Sequence, residues 1–367
     1  MDCAHIDWPD DQAFFRDLFR RAEAARVPLA GTLELTRRCN LRCAHCYLGP
    51  QEAVRAAGGR EMRTAEVTGI IDQAAAAGCL SLLITGGDPL LRADFEAIYR
   101  HARLAGVEVA VFTNGTLVTR RIVDLFRDLP PRVVEITLYG ATAATYEGIT
   151  GVPGSFERCL AGVRRLHAAG IRLGLKTMLM TANLGELEAI ERLALGFGAE
   201  FRFDPLLNAC LDGGREPLSL RVDAREAVRL EFADPARGRR WADFHARHPV
   251  LAPSDRLYQC GAGETGFHVD AFGNLQPCLM LPNASYNLLA GSFAEGWAAL
   301  AHLREVRAAA GNRCASCERR VYCGWCPGLL ELENGDPELA SPYLCALGSA
   351  RLRAITEYGH TEYGREE

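Results

Sequence analysis

Short apolar runs alternate with amphipathic stretches from residue 31 to about residue 205. The apolar runs are 32–36 (TLELT), 81–85 (SLLIT), 107–113 (VEVAVFT), 133–138 (VVEITL), 172–178 (RLGLKTM) and 200–203 (EFRF). Their length and β-branched content predict strands. Between them, 64–77, 92–105, 119–128, 155–169 and 183–197 carry apolar residues at helical spacing. Thr64, two residues ahead of Glu66, marks a helix start, and Gly78, Gly106 and Gly170 mark three stops. Such alternation predicts a parallel sheet with right-handed crossovers. Six units fall short of the eight that close a barrel. The predicted fold is therefore α/β, a partial (β/α)6 TIM-like barrel.

The pattern changes outside this stretch. Residues 12–25 read as an amphipathic helix with Phe15, Leu18 and Phe19 on one side, and 49–63 read as a loop rich in Gly and Ala. Residues 206–258 break the alternation, and beyond 260 periodicity fades as cysteines accumulate. This predicts an N-terminal helical segment (1–30), a core (31–206), a bridging region (207–258), a small cofactor-stapled C-terminal domain (259–350) and a tail (351–367). No internal repeat or low-complexity tract is present.

Hydrophobic residues at 49% and charged residues at 24% fit a globular chain with a real core. A net charge of −5 offers no basic excess to neutralise nucleic-acid phosphates. No apolar run approaches the roughly 18 residues that span a bilayer, and the acidic start lacks a secretory pattern. The expected location is the cytoplasm, with neither nucleic acid nor membrane as partner. Fourteen cysteines are then unusual, because a reducing compartment disfavours disulfides and clustered cysteines there more often bind metals. Cys3, Cys79, Cys159 and Cys210 stand apart and read as small buried hydrophobes. The other ten form two groups.

The first group is LTRRCNLRCAHCY, with Cys39, Cys43 and Cys46 in a CxxxCxxC loop just after the first predicted strand. Three thiolates can hold three irons of a cubane and leave the fourth iron open, whereas a cluster bound only by protein takes four. Zinc would want a fourth ligand close by, and His45 is a candidate. Position decides against zinc, because strand ends in parallel α/β folds are where cofactors bind.

This loop after the first strand of a strand–helix repeat resembles the radical S-adenosylmethionine superfamily. The resemblance implies that the open iron chelates the methionine amino and carboxylate groups. It further implies that one electron cleaves the sulfonium and that the resulting 5′-deoxyadenosyl radical takes a substrate hydrogen. Other strand ends extend the likeness. Gly86-Gly87-Asp88-Pro89 resembles the family's GGEP segment, with Asp for Glu. Thr113-Asn114-Gly115 ends the third strand. Thr137-Leu138-Tyr139-Gly140 stands where many relatives carry Ser-Leu-Asp-Gly, with Thr137 replacing the serine and Tyr139 departing from the pattern. Lys176 ends the fifth strand, and Asp204-Pro205 ends the sixth, near where relatives pack the adenine. The resemblance covers residues 31–206.

The second group resembles the SPASM extension of such enzymes: Cys260, Gly273 and Cys278, then Cys314-x2-Cys317-x5-Cys323-x2-Cys326, then Cys345. The family's x3 before the last of the four is x2 here. By resemblance, Cys260, Cys278 and Cys326 hold one auxiliary 4Fe–4S cluster, three clusters in all with the first group's. Cys314, Cys317, Cys323 and Cys345 hold the other. The first auxiliary set lacks a clear fourth ligand, since Ser254 and Asp255 stand where some relatives have another cysteine. In isolation the two CxxC pairs also suit zinc ribbons, which would make this a zinc-stapled binding protein.

Relatives with two auxiliary clusters mostly modify peptides or proteins, and others act on tetrapyrroles or small sugars. The resemblance thus implies a peptide or protein substrate, with a tetrapyrrole or other small molecule as the alternative. It also implies a reductase such as a flavodoxin or ferredoxin. Residues 1–30 are too short for a peptide-recognition domain, so a leader-binding module is expected as a separate protein. Leu279 and Met280 follow Cys278 where the sulfatase-maturing branch places an aspartate base, which weakens formylglycine formation. Glu264 and Asp270 are candidate acid–base residues whose default reading is exposed charge, and His268 reads as a strand histidine.

Overall fold

The computed structural model describes residues 11–56, 58–247 and 254–363; Cys3 lies outside them. The chain runs α1 (Asp11–Ala25), β1 (Ala30–Glu34), α2 (Gln51–Ala56), α3 (Thr64–Ala76), β2 (Ser81–Thr85), α4 (Phe95–Leu104) and β3 (Glu108–Thr113). It continues with α5 (Arg120–Asp128), β4 (Val133–Thr137), α6 (Ala143–Thr150), α7 (Ser155–Ala168), β5 (Leu173–Met178), α8 (Leu187–Gly196) and β6 (Glu200–Asp204). Then come α9 (Ala224–Ala233), α10 (Pro235–Arg247), β7 (Gly266–Val269), β8 (Asn274–Gln276), β9 (Tyr286–Asn287), α11 (Phe293–Ala299), α12 (Arg320–Cys323), α13 (Pro327–Asn334) and α14 (Pro342–Tyr363).

Strands β1 to β6 are parallel and lie side by side in chain order. The sheet continues past β1 into β7, again parallel, and then into antiparallel β8 and β9. β6 and β9 form its two edges, so the barrel is open. Strand alternation sorts the side chains. Leu33, Ile84, Val111, Ile136 and Leu175 are buried in one core with helix residues such as Ile71, Tyr99, Phe126 and Leu166. Phe267, Phe293 and Trp297 belong to the same core, which joins the cysteine-rich half to the barrel.

Several expectations shift. β1 ends at Glu34 rather than Thr36, because the amide of Leu35 turns to the Thr85 carbonyl and the Thr36 carbonyl turns to Gly87. The segment 49–63 is not all loop: α2 lies within it. α6 was not foreseen; Thr142 caps its first turn and Glu186 accepts from Ala141 N, Thr142 N and the Thr145 hydroxyl. α1 forms as expected, although Phe19 on it is 53% exposed. The supposed tail from 351 to 363 continues α14.

That helix carries a buried ion pair. Arg351 donates through Nε and Nη2 to the Glu231 carboxylate at 2.8 and 2.5 Å, and through Nη1 to the Tyr322 carbonyl at 2.8 Å. Both side chains are under a tenth exposed. Arg351→Met strands the Glu231 charge and is expected to cost about 3–5 kcal/mol, read as a lowered urea midpoint. The double variant Arg351→Met/Glu231→Leu should recover most of that loss.

Candidate active site

The cysteine loop is held by backbone bonds to neighbouring strand and helix ends. Gly87 N donates to Thr36 O at 2.7 Å and Asp88 N to Arg38 O at 2.9 Å. Arg42 N and Ala44 N donate to Thr150 O and Ile149 O at the end of α6. Gln51, 3% exposed at the start of α2, accepts from Cys39 N at 2.7 Å and donates to Arg37 O at 3.3 Å. The approach is too close for any side chain at the glycine pair. A Cβ on Gly86 would lie 2.2 Å from Thr36 O, and one on Gly87 would lie 2.2 Å from Arg38 O. Gly86 also has φ +141, which disfavours other residues.

Asp88 ties this turn to the next strand end. Its buried carboxylate accepts from Thr113 Oγ1 at 2.8 Å, Asn114 N at 2.9 Å and Leu90 N at 3.0 Å. Burial still pushes its pKa up to about 6. The Asn114 amide is fixed in turn: its oxygen accepts from Thr116 N, and its nitrogen donates to Asn40 Oδ1 at 2.8 Å and points at Cys39 Sγ, 3.7 Å away.

A cavity of about 810 Å³ opens at the C-terminal ends of the strands. Of the residues singled out in the sequence, Cys39, Cys43, Cys46, Gly86, Gly87, Thr113, Asn114, Thr137, Lys176 and Asp204 line it. Asp88, Pro89 and Pro205 do not: Asp88 is consumed by the strand-end bonds, and the Pro205 carbonyl accepts from Tyr343 Oη at 3.4 Å. Three further wall residues, Tyr47, Arg202 and Cys210, carry no sequence signal beyond their place after a motif. Tyr47 donates to fully buried Glu34 at 3.3 Å, and Cys210 Sγ donates to Cys46 O at 3.5 Å. Tyr139 packs edge-on against His45, with centroids 4.8 Å apart, and its hydroxyl lies beside the Cys43 sulfur.

Cations on this wall meet carboxylates. Lys176 Nζ sits 3.2 Å from Glu135 Oε2 and 3.2 Å over the Phe112 ring, and Arg202 reaches the same Glu135 oxygen at 2.7 Å. Burial lowers the Lys176 pKa to about 8 against the pull of Glu135. Arg42 pairs with Glu52 at 3.2 Å. Asp204, also on the wall, acts electrostatically on Lys176, and among the described residues Asp212 and Glu216 on the same wall make no ion pair.

The ten clustered cysteines gather in three places. In the first, like charge from Cys46 and Cys39 adds to burial in raising Cys43. In the second, Cys326 and Cys260 add to burial in pushing Cys278 up to about 12, and Tyr258 lies near Cys278 and Cys326. In the third, Cys345, Cys317 and Cys314 act on Cys323, pushed up to about 11 mainly by burial. The donors in each place are thiols, and among the described residues no three His, Cys, Asp or Glu side chains close around a point as a single metal ion requires. Thiols that neighbour one another without such closure fit a polynuclear iron–sulfur group better than one zinc ion.

The candidate acid–base residues are corrected. Glu264 and Asp270 are 7% and 3% exposed rather than surface charges. Glu264 binds Arg256 at 3.2 Å and Arg304 at 2.9 Å. Asp270 closes the β7–β8 turn by accepting from Phe272 N and Asn274 N, each at 2.9 Å. His268 lies in β7, buried, with its pKa lowered to about 4 by desolvation. No helix among the described residues is long and apolar enough to cross a membrane.

Comparison with known proteins agrees with this geometry. Residues 33–194 match the profile of the Radical SAM superfamily. The AdoMet-dependent heme synthase of Methanosarcina barkeri is 29% identical over 331 residues, spanning 84% of this chain and 94% of that protein. The mycofactocin maturase MftC of Mycobacterium tuberculosis is 28% identical over 337 residues, spanning 85% and 83%. Streptococcus suis SuiB, solved with its precursor peptide SuiA, superposes with a TM-score of 0.68 over 94% of this chain and 83% of that one, at 16% identity.

Proposed function

We propose, from the premise that this chain belongs to the radical SAM superfamily, that it reductively cleaves S-adenosylmethionine in the 810 Å³ cavity and abstracts a hydrogen from a peptide or protein. The observation that carries the reading is the convergence of three thiols, a glycine turn and four strand ends on one cavity wall. A 4Fe–4S cluster held by Cys39, Cys43 and Cys46 would supply the electron that releases an adenosyl radical from the cofactor. Cys260, Cys278 and Cys326 would hold one auxiliary cluster, and Cys314, Cys317, Cys323 and Cys345 another. The rest is the work of the protein's own groups. Gly86 and Gly87 let the loop backbone pack without side chains, and Gln51 and Asn114 fix Cys39. Thr113, Asn114, Thr137, Lys176 and Asp204 offer polar groups to S-adenosylmethionine. A cytoplasmic reductase, a flavodoxin or ferredoxin, would provide the electron, and a separate protein would present any leader segment.

Cavity charge favours a peptide over a tetrapyrrole. Tetrapyrrole intermediates carry several carboxylates, and binding them calls for free guanidinium or ammonium groups. Here, among the described residues, Lys176 and Arg202 share Glu135, Asp204 also acts on Lys176, and Arg42 pairs with Glu52, while Asp212 and Glu216 make no ion pair. A neutral or basic peptide segment meets no such repulsion. The tetrapyrrole reading is kept because the heme synthase likeness spans most of both chains. Anaerobic assays with dithionite and S-adenosylmethionine decide between them. Basic peptides should stimulate 5′-deoxyadenosine release while iron coproporphyrin III stays unchanged by mass. Oxidative decarboxylation of the porphyrin would reverse the assignment.

A further inference from the structure

A second recess, about 180 Å³, reaches the cysteine loop by a separate route. It shares Cys39, Leu41 and Arg42 with the large cavity, and its other walls include Arg55, Gly151, Val152 and Pro153. The recess is polar and cationic. Among the described residues no carboxylate lines it. Arg55 is exposed on α2 and makes no ion pair among the described residues, and Arg42 is 61% exposed beside an equally exposed Glu52. Arg158 donates to the Pro153 carbonyl at 3.3 Å and brings a third guanidinium to the rim.

We propose that this arginine-lined recess is the docking surface of the electron donor, an acidic one-electron carrier protein that delivers its electron toward Cys39. The inference rests on the function proposed above. That function needs an electron while substrate and S-adenosylmethionine fill the large cavity, so a donor must reach the loop from elsewhere. Cys39 is the one clustered thiol that both openings expose. Charge selects the partner. The whole chain carries −5, so a carboxylate-ringed carrier is repelled by most of the surface and steered to a local positive patch. The carrier loses one electron, the group bound by Cys39, Cys43 and Cys46 gains one, and no atom is exchanged.

The test uses the full chain, reconstituted with iron and sulfide, and fully reduced flavodoxin as the donor. Rapid-freeze EPR follows the signal that S-adenosylmethionine perturbs. At low salt Arg55→Glu should slow reduction by flavodoxin about threefold or more, and Arg55→Lys should stay near wild type. The difference should vanish as salt screens the patch, and reduction by dithionite should be the same in all three proteins. Equal flavodoxin rates for Arg55→Glu and wild type would overturn the surface while leaving the cluster reading intact, as would an equal slowing with dithionite. Failure of flavodoxin to reduce even the wild type would overturn the acidic-carrier assignment. Absence of any iron signal would instead remove the function on which the inference rests.

Discussion

Gly87→Ala is expected to abolish S-adenosylmethionine cleavage while leaving most of the iron in place. The new Cβ would sit 2.2 Å from Arg38 O and 2.5 Å from Arg38 C, both backbone atoms immediately before Cys39. No flexible side chain can yield there, so the loop itself must move. The two peptides flanking Gly87 carry the Gly87 N to Thr36 O bond and the Asp88 N to Arg38 O bond, which a displaced loop would lengthen or lose. Overpacking of this kind costs about 1–3 kcal/mol, small enough for the chain to fold. The effect should therefore be local: about four of about twelve irons lost, if each site holds a cubane. Iron analysis and 5′-deoxyadenosine assays on the same preparation check this. A variant with full iron and full cleavage would mean that the turn does not position the loop.

The second large effect comes from removing the loop thiols themselves. Cys39→Ala, Cys43→Ala and Cys46→Ala together should eliminate cleavage and the EPR signal that S-adenosylmethionine perturbs, while the seven C-terminal cysteines still bind iron. The groups are separated along the chain: the first lies between β1 and α2, and the others run from Cys260, just before β7, to Cys345 in α14. Removing Cys317 should act differently. It belongs to the third group, where Cys314 and Cys323 are its neighbours, and its loss should lower both iron content and thermal stability, because cluster binding and folding are coupled. Cleavage that survives the triple substitution would refute the role assigned to the loop.

The barrel was legible because its signal is periodic and local. Alternation along 81–85 or 133–137 marks which side chains face the helices, and a glycine stop follows each of three helices. Single contacts across the fold were not legible. β7 is four residues long, and its partner β1 lies more than two hundred residues earlier, so nothing in GFHV announces the pairing. α2 is a six-residue helix within a Gly- and Ala-rich stretch, and its key residue, Gln51, matters through one bond to Cys39. α6 depends on Glu186 from a distant turn. Glu264 and Asp270 read as surface charge because burial of a carboxylate is costly. Two arginines and two turn amides offset that cost, and neither shows in sequence.

The site motifs divide in the same way. Gly86 and Gly87 stand where the strand-end pattern put them, on the cavity wall. Asp88 was readable as an acceptor, but what it accepts, Thr113 and Asn114 at the next strand end, depends on β2 and β3 being neighbours. Tyr139, a departure from the family's pattern, sits against both His45 and Cys43. Sequence marks the departure and cannot supply the contact.

The measurement that bears most directly on the central claim is iron and sulfide content, with an EPR spectrum of the dithionite-reduced protein before and after S-adenosylmethionine is added. About twelve irons per chain, three cubanes of four, and a signal that the cofactor alters are expected. Stoichiometric zinc, without iron and without a signal, would contradict that claim and leave the cysteines as structural ligands of a binding protein.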